Sequence, residues 1–172
     1  LGYLLLVEQP NKSFLARNKR DDSGNLYKLL WYGQGVVGQH EKKTNPFGGH
    51  GDIIQLIDGL NKRTGPAQWD FIQQNFNVDE VINYFAVNMC LQNWDGFFNN
   101  YFAYHDVKAT GKWEIYPWDE DKTWGDYDGA SPRYDWYEMP LTFGMNGDAS
   151  AGGLRSFFDR GPFGGGSSWW RH

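Results

Sequence analysis

Cysteine is almost absent: Cys90 is the only one in 172 residues, which excludes an internal disulfide framework. That leaves the compartment open, because a chain of this length can build a core that needs no cross-link. Basic tracts are also absent and the formal net charge is −5, so nucleic acid is not an expected partner. No apolar run approaches the ~20 residues of a membrane span, so none is expected. Residues 4–7 are too short for a secretory leader and lack its basic flank. There is no initiating Met, and no closing element follows Trp169, Trp170, Arg171 and His172. The expectation is a fragment of one domain, with part of any active site outside it.

Aromatic residues are abundant, with nine Trp, ten Tyr and twelve Phe. They either line a ligand or sugar-binding face or fill a core, and core filling is the reading adopted for most of them.

Residues 3–8 are short, apolar and rich in Leu and Val, and read as a buried strand ended by Pro10. The turn cluster Asp21, Asp22, Ser23 and Gly24 separates it from a second strand over 25–31, the two forming a loose hairpin. Residues 33–51 read as a loop. Asp52 is placed to cap a helix running to Lys62, with Ile53, Leu56, Ile57 and Leu60 on one face. Gly65 and Pro66 break it, and 67–75 form a short second helix. Asn77 and Glu80 have capping-box spacing, opening a helix with Val78, Val81, Ile82, Phe85 and Met89 on one stripe. Residues 100–106 and 112–117 alternate as the strands of a hairpin, turned at 107–111 with Gly111 suited to a bulge. From residue 126 periodicity disappears into Gly-punctuated chain. No internal repeat and no interdomain linker is visible. The fold class is therefore α+β, with residues 1–31 a strand region, 52–125 the core and 126–172 an irregular region of one domain.

The chemistry gathers in residues 93–125. The hairpin folds a long separation into a short distance, so Asp95, Asn100, Asp119 and Asp121 can meet at one end of it. Carboxylate and amide oxygens converging on a point suit a hard divalent cation such as Mg²⁺, which takes one or two protein carboxylates and serves phosphate chemistry. Taken singly each residue has a bland alternative. Asp95 precedes Gly96 in a common turn pair, Asn100 can cap a loop, and Asp119 can be an ordinary surface acid. The weight lies in the ordered set on a helix, turn and hairpin.

The spacing from Asp95 to Asn100, D-x-x-x-x-N, is that of the protein-kinase catalytic loop. Asn93 and Asp95, Asn100 before an aromatic strand, then Pro117, Trp118, Asp119, Asp121 and Gly125 resemble the signature of the spore coat protein H (CotH) kinases, atypical secretory-type protein kinases. Upstream, residues 2–9 resemble that family's Gly-Tyr…Glu strand, and Phe14–Leu15 and residues 24–28 resemble the segments that follow. The resemblance covers residues 1–124. It implies a protein-kinase-like fold: mainly the helical C-lobe, with a catalytic-loop hairpin and one hinge strand. It implies Asp95 as catalytic carboxylate, Asn100 and Asp119 as metal ligands, and Asp121 as a second ligand or a support. It also implies ATP with Mg²⁺ or Mn²⁺ as cofactors, with backbone at Val7, Glu8 and Gln9 meeting the adenine. The implied partner is a secreted or coat protein phosphorylated on Ser or Thr, and the implied location is the cell surface, the exterior or the spore coat. The phosphate-covering loop and the phosphate-binding lysine would lie before Leu1. Lys28 and Lys122 do not replace that lysine, so the fragment alone is expected to lack full activity. The rival reading is a non-catalytic adhesin or coat-assembly module binding protein or carbohydrate. Transfer of AMP instead of phosphate would use the same metal site.

Other features take plain readings. His40, His50 and His105 lack zinc-site spacing and read as solvated loop histidines. Cys90 reads as a buried small hydrophobe. Gly33, Gly35 and Gly38 have phosphate-loop spacing, but no helix is expected directly after them, so they read as an ordinary loop. Arg133, Arg155 and Arg160 read as solvated surface.

Overall fold

Alternation along the strands sorts the apolar side chains onto two faces of one sheet. The computed structural model describes residues 2–4, 6–30, 32–91, 93, 96, 100–121 and 123–124. The elements run α1 (Lys12–Arg17), β1 (Asn25–Leu29), α2 (Gly35–Gln39), β2 (His40–Lys42), α3 (Gly51–Asn61), α4 (Gly65–Asn75), α5 (Val78–Leu91), β3 (Tyr101–His105) and β4 (Trp113–Pro117). The strands form one antiparallel sheet in the order β2-β1-β3-β4. The described architecture is α+β. No helix among the described residues is long and apolar enough to cross a membrane.

The first face carries Tyr27, Leu29, Tyr101, Ala103, Trp113 and Ile115, which pack with Ile53, Leu56, Ile57 and Leu60 of α3 and with Tyr84 of α5. The second carries Leu26, Phe102 and Tyr104, covered by Leu15 of α1 with Phe14, Tyr116 and Trp118 around it. Four successive residues of β3 are therefore buried, as in a strand covered on both sides. Each fully buried large apolar side chain contributes about 1.5–3 kcal/mol. This supports core filling for many of the aromatic residues.

The β3–β4 hairpin forms as expected, and Gly111 stands at its turn with φ +66, where a side chain would be strained. Among the described residues the first expected strand does not form. Residues 2–4 and 6–9 are exposed and in no strand, and Tyr3, Leu4 and Leu6 are almost wholly accessible. Both edges of β1 are already filled, by β2 and β3, so the loose hairpin of 3–8 with 25–31 has no edge to use. Residues 12–17 instead form α1, capped where Asn11 accepts from the Phe14 N–H at 3.1 Å. The expected loop over 33–51 holds α2 and β2. Helix α3 ends at Asn61, before Gly65 and Pro66 as expected, and α4 starts at Gly65 rather than Ala67, because Pro66 lacks an N–H that a helix's first turn does not need.

Two caps are also corrected. The N-cap of α3 is His50, not Asp52, whose carboxylate is drawn to side-chain donors on β1 and β3. Asn77 and Glu80 do not form a capping box. The Asn77 N–H donates to Trp113 O, and Glu80 Oε2 accepts from the Ile115 N–H at 3.0 Å, tying α5 to β4. The buried line of α5 runs through Tyr84 and Asn88, leaving Ile82 exposed and Cys90 exposed rather than buried.

The histidines depart furthest from their plain reading. His105 pairs with Asp52 at 2.9 Å and stacks on Trp113, and His50 lies against the Tyr27 ring. His40 is 2% exposed; its Nδ1–H donates to Val36 O at 2.7 Å, while Nε2 is buried without a hydrogen bond among the described residues. Burial lowers its pKa from 6.5 to about 4. A lowered histidine pKa favours the folded state while the ring is neutral, so this stability is complete above pH 6.5 and declines as pH falls toward 4. In urea titrations between pH 7 and 4, wild type is expected to lose stability relative to His40→Leu, which has nothing to protonate there. A constant difference across that range would contradict the assignment.

Candidate functional site

The hairpin register creates the site. Tyr101 pairs with Pro117, so Asn100 and Trp118–Asp119 are the next residues outward at the open end. There the Trp118 N–H donates to Asn100 O at 3.0 Å, and Asn100 Nδ2 donates to Asp119 O at 3.3 Å. Both Asn100 (φ +52) and Asp119 (φ +58) adopt the left-handed conformation, which Asn and Asp tolerate better than most residues. Two such residues side by side are a local conformational cost of the kind concentrated at functional sites. Asp119 and Asp121 are exposed, whereas Glu120 between them is partly buried.

Beneath this end lies a buried polar network. Asn93 is fully buried, and its Nδ2 donates to Asn88 Oδ1 at 2.7 Å and to Glu120 Oε2. Asn93 Oδ1 accepts from the Gly96 N–H at 3.3 Å, and the Tyr84 hydroxyl donates to Gly96 O at 2.6 Å. Asn88 in turn donates to Tyr84 O at 2.9 Å. A Cβ at Gly96 would lie 2.4 Å from Asn88 Oδ1, so only glycine fits against the network. Burial raises the Glu120 pKa, and the Asn93 bond opposes that shift by favouring the carboxylate. Glu120 Oε1 is buried and makes no hydrogen bond among the described residues.

The structure thus brings Asn100 and Asp119 together and places Asp121 two residues on. Asp95 lies outside the described residues, although Asn93 and Gly96 on either side of it are described. Lys122 and residues 125–172, with Arg133, Arg155 and Arg160, also lie outside them. Val7, Glu8 and Gln9 are exposed, and Glu8 pairs with Arg17 of α1. Lys28 sits 5.2 Å from the centre of the Trp118 ring. The backbone of Gly33 packs so tightly on Gly38 that a Cβ there would lie 2.0 Å from Gly38 O, as a compact turn requires.

The donor set fits a hard cation in one respect. Asn100 contributes an amide oxygen and Asp119 a carboxylate from adjacent backbone positions, and Mg²⁺ completes such a set with waters and substrate phosphates. Among the described residues, no group of three or more His, Cys, Asp or Glu side chains forms a metal cage. Sequence reasoning missed Asn88 and Glu120. The available signal was an asparagine at 88 on the apolar line of a helix, where a buried amide needs a partner.

The sequence matches the family described as CotH kinase protein over residues 2–147. It is 34% identical over 145 residues to inner spore coat protein H of Bacillus subtilis (strain 168). That match takes in 72% of this chain and 38% of that protein, so the chain spans well under two thirds of its relative's length. The match runs through the hairpin, the Asn93 network and the Pro117–Asp121 segment, and the chain belongs to the CotH kinase protein family.

Proposed function

We propose that the protein containing this chain transfers the γ-phosphate of ATP to Ser or Thr hydroxyls of secreted or spore-coat proteins, using a kinase-like C-lobe. The observation that carries this reading is the contact of Asn100 with Asp119 at the open end of the hairpin. Asp95 stands in the catalytic-loop position, where a carboxylate orients the substrate hydroxyl and accepts its proton. Asn100 and Asp119 would hold Mg²⁺ or Mn²⁺, which when bound offsets the charge of the nucleotide phosphates. Asp121 supports that pair or adds a ligand. Val7, Glu8 and Gln9 remain the proposed adenine contacts, through their backbone. The relative's name favours a coat location.

That name also favours the second reading, a coat-assembly or adhesive module without catalysis. Nucleotide binding separates the two. The unfolding midpoint of the full-length protein is expected to rise with ATP and Mg²⁺ together, by mass action on the folded state, and not with either alone. No rise at millimolar MgATP would favour the binding module.

A further inference from the structure

The structure assigns Asn93 as a positioning residue that ties the described residues flanking Asp95 in the chain, itself and Gly96, to the proposed metal-binding segment. This inference rests on the phosphotransfer reading above. One side chain makes three bonds in three directions. Its carbonyl oxygen accepts from the Gly96 N–H, tying together the two described residues that flank Asp95 in the chain. Its amide donates to Asn88 on α5 and to Glu120, the residue after Asp119. Gly96 is held from the other side by the Tyr84 hydroxyl. Asn93 and Gly96, on either side of Asp95 in the chain, are therefore held both to α5 and to the segment carrying the proposed ligands.

Phosphate transfer makes this linkage matter. The base must sit at a fixed distance from a phosphorus whose position is set by the metal, and a displacement of about 1 Å costs about 10²-fold in rate. Each half of the site can bind its own ligand without the other, and only the chemical step needs both in register. The linkage should thus appear in kcat rather than in KM for MgATP. Asn93 is also fully buried, so it acts through Gly96 and Glu120 rather than by touching substrate.

The test uses the full-length protein and two variants. Asn93→Asp keeps the size and the acceptor for Gly96 but cannot donate to Asn88 or Glu120. Adding Glu120→Gln supplies an amide that donates back across the same contact and removes the repulsion between carboxylates. Asn93→Asp is expected to lower kcat about 10²-fold with KM for MgATP changed less than about threefold. The double variant should recover at least about fivefold of that loss. An active wild type with an unaffected Asn93→Asp variant overturns the inference and leaves the phosphotransfer reading standing. A loss of kcat without recovery in the double variant, at equal unfolding midpoints, also overturns it, because a merely structural role would give that pattern. Wild-type protein that transfers no phosphate overturns the phosphotransfer reading itself, and the inference with it.

Discussion

Replacing Asp119 with alanine in the full-length protein is expected to cut phosphate transfer about 10³-fold. A metal ion at the phosphates stabilises the transition state by several kcal/mol, and losing about 4 kcal/mol corresponds to that factor. The fold should tolerate the change, because the Asp119 side chain is exposed and its bond to Asn100 runs through the backbone carbonyl. One confounding effect is foreseeable. Asp119 has φ +58, where alanine is strained by about 1 kcal/mol. Asparagine tolerates that conformation and removes only the charge, so Asp119→Asn separates strain from metal binding. Both variants should lose transfer, measured as incorporation of labelled γ-phosphate into a Ser/Thr substrate. Full activity in Asp119→Asn would remove this residue from the metal site.

Replacing Asp52 with alanine is expected to destabilise the fold by about 3 kcal/mol. Its carboxylate gathers four donors: Asn25 Nδ2 at 2.8 Å, the Tyr27 hydroxyl at 2.6 Å, the Ile53 N–H at 2.9 Å and His105 Nδ1 at 2.9 Å. These join α3 to β1 and β3 on the main core face. Alanine would leave the Asn25, Tyr27 and His105 groups unpaired in a largely buried place. Burial alone would raise the Asp52 pKa, but the His105, Tyr27, Asn25 and Ile53 bonds outweigh it and hold the carboxyl well below its ordinary 3.8. A depressed carboxyl stabilises the fold above its unfolded pKa, so the contribution is complete at neutral pH and declines as pH falls below about 3.8. Urea unfolding should therefore show a large gap between wild type and Asp52→Ala at pH 7 that narrows at pH 3. A gap under about 1 kcal/mol at pH 7 would mean that the network is worth no more than one ordinary hydrogen bond.

The elements legible in the sequence were those whose signal is local. The β3–β4 hairpin announces itself by alternation on both sides of a glycine turn, and the core face of α3 by helical periodicity. The strand expected over 3–8 is absent among the described residues because apolar composition says nothing of the edge it must pair with, and both edges of β1 are occupied. The histidine assignments failed for a related reason. The partner of His105 lies 53 residues away in Asp52, and such a pairing exists only once α3 lies across the sheet. In the candidate site, Asn100 and Asp119 were legible because one hairpin joins them. Glu120 is not, because its bond to Asn93 spans 27 residues and depends on how the chain after α5 meets the segment after β4.

The most direct test of the central claim is manganese binding by the full-length protein, read by electron paramagnetic resonance as free Mn²⁺ in the presence of a non-hydrolysable ATP analogue. Wild type is expected to remove Mn²⁺ from solution stoichiometrically when the analogue is present. Asp119→Asn is expected to do so at least about tenfold more weakly, since one carboxylate of a set that supplies only one or two is gone. Equal manganese binding by the two proteins would contradict the assignment of this hairpin end as the metal site.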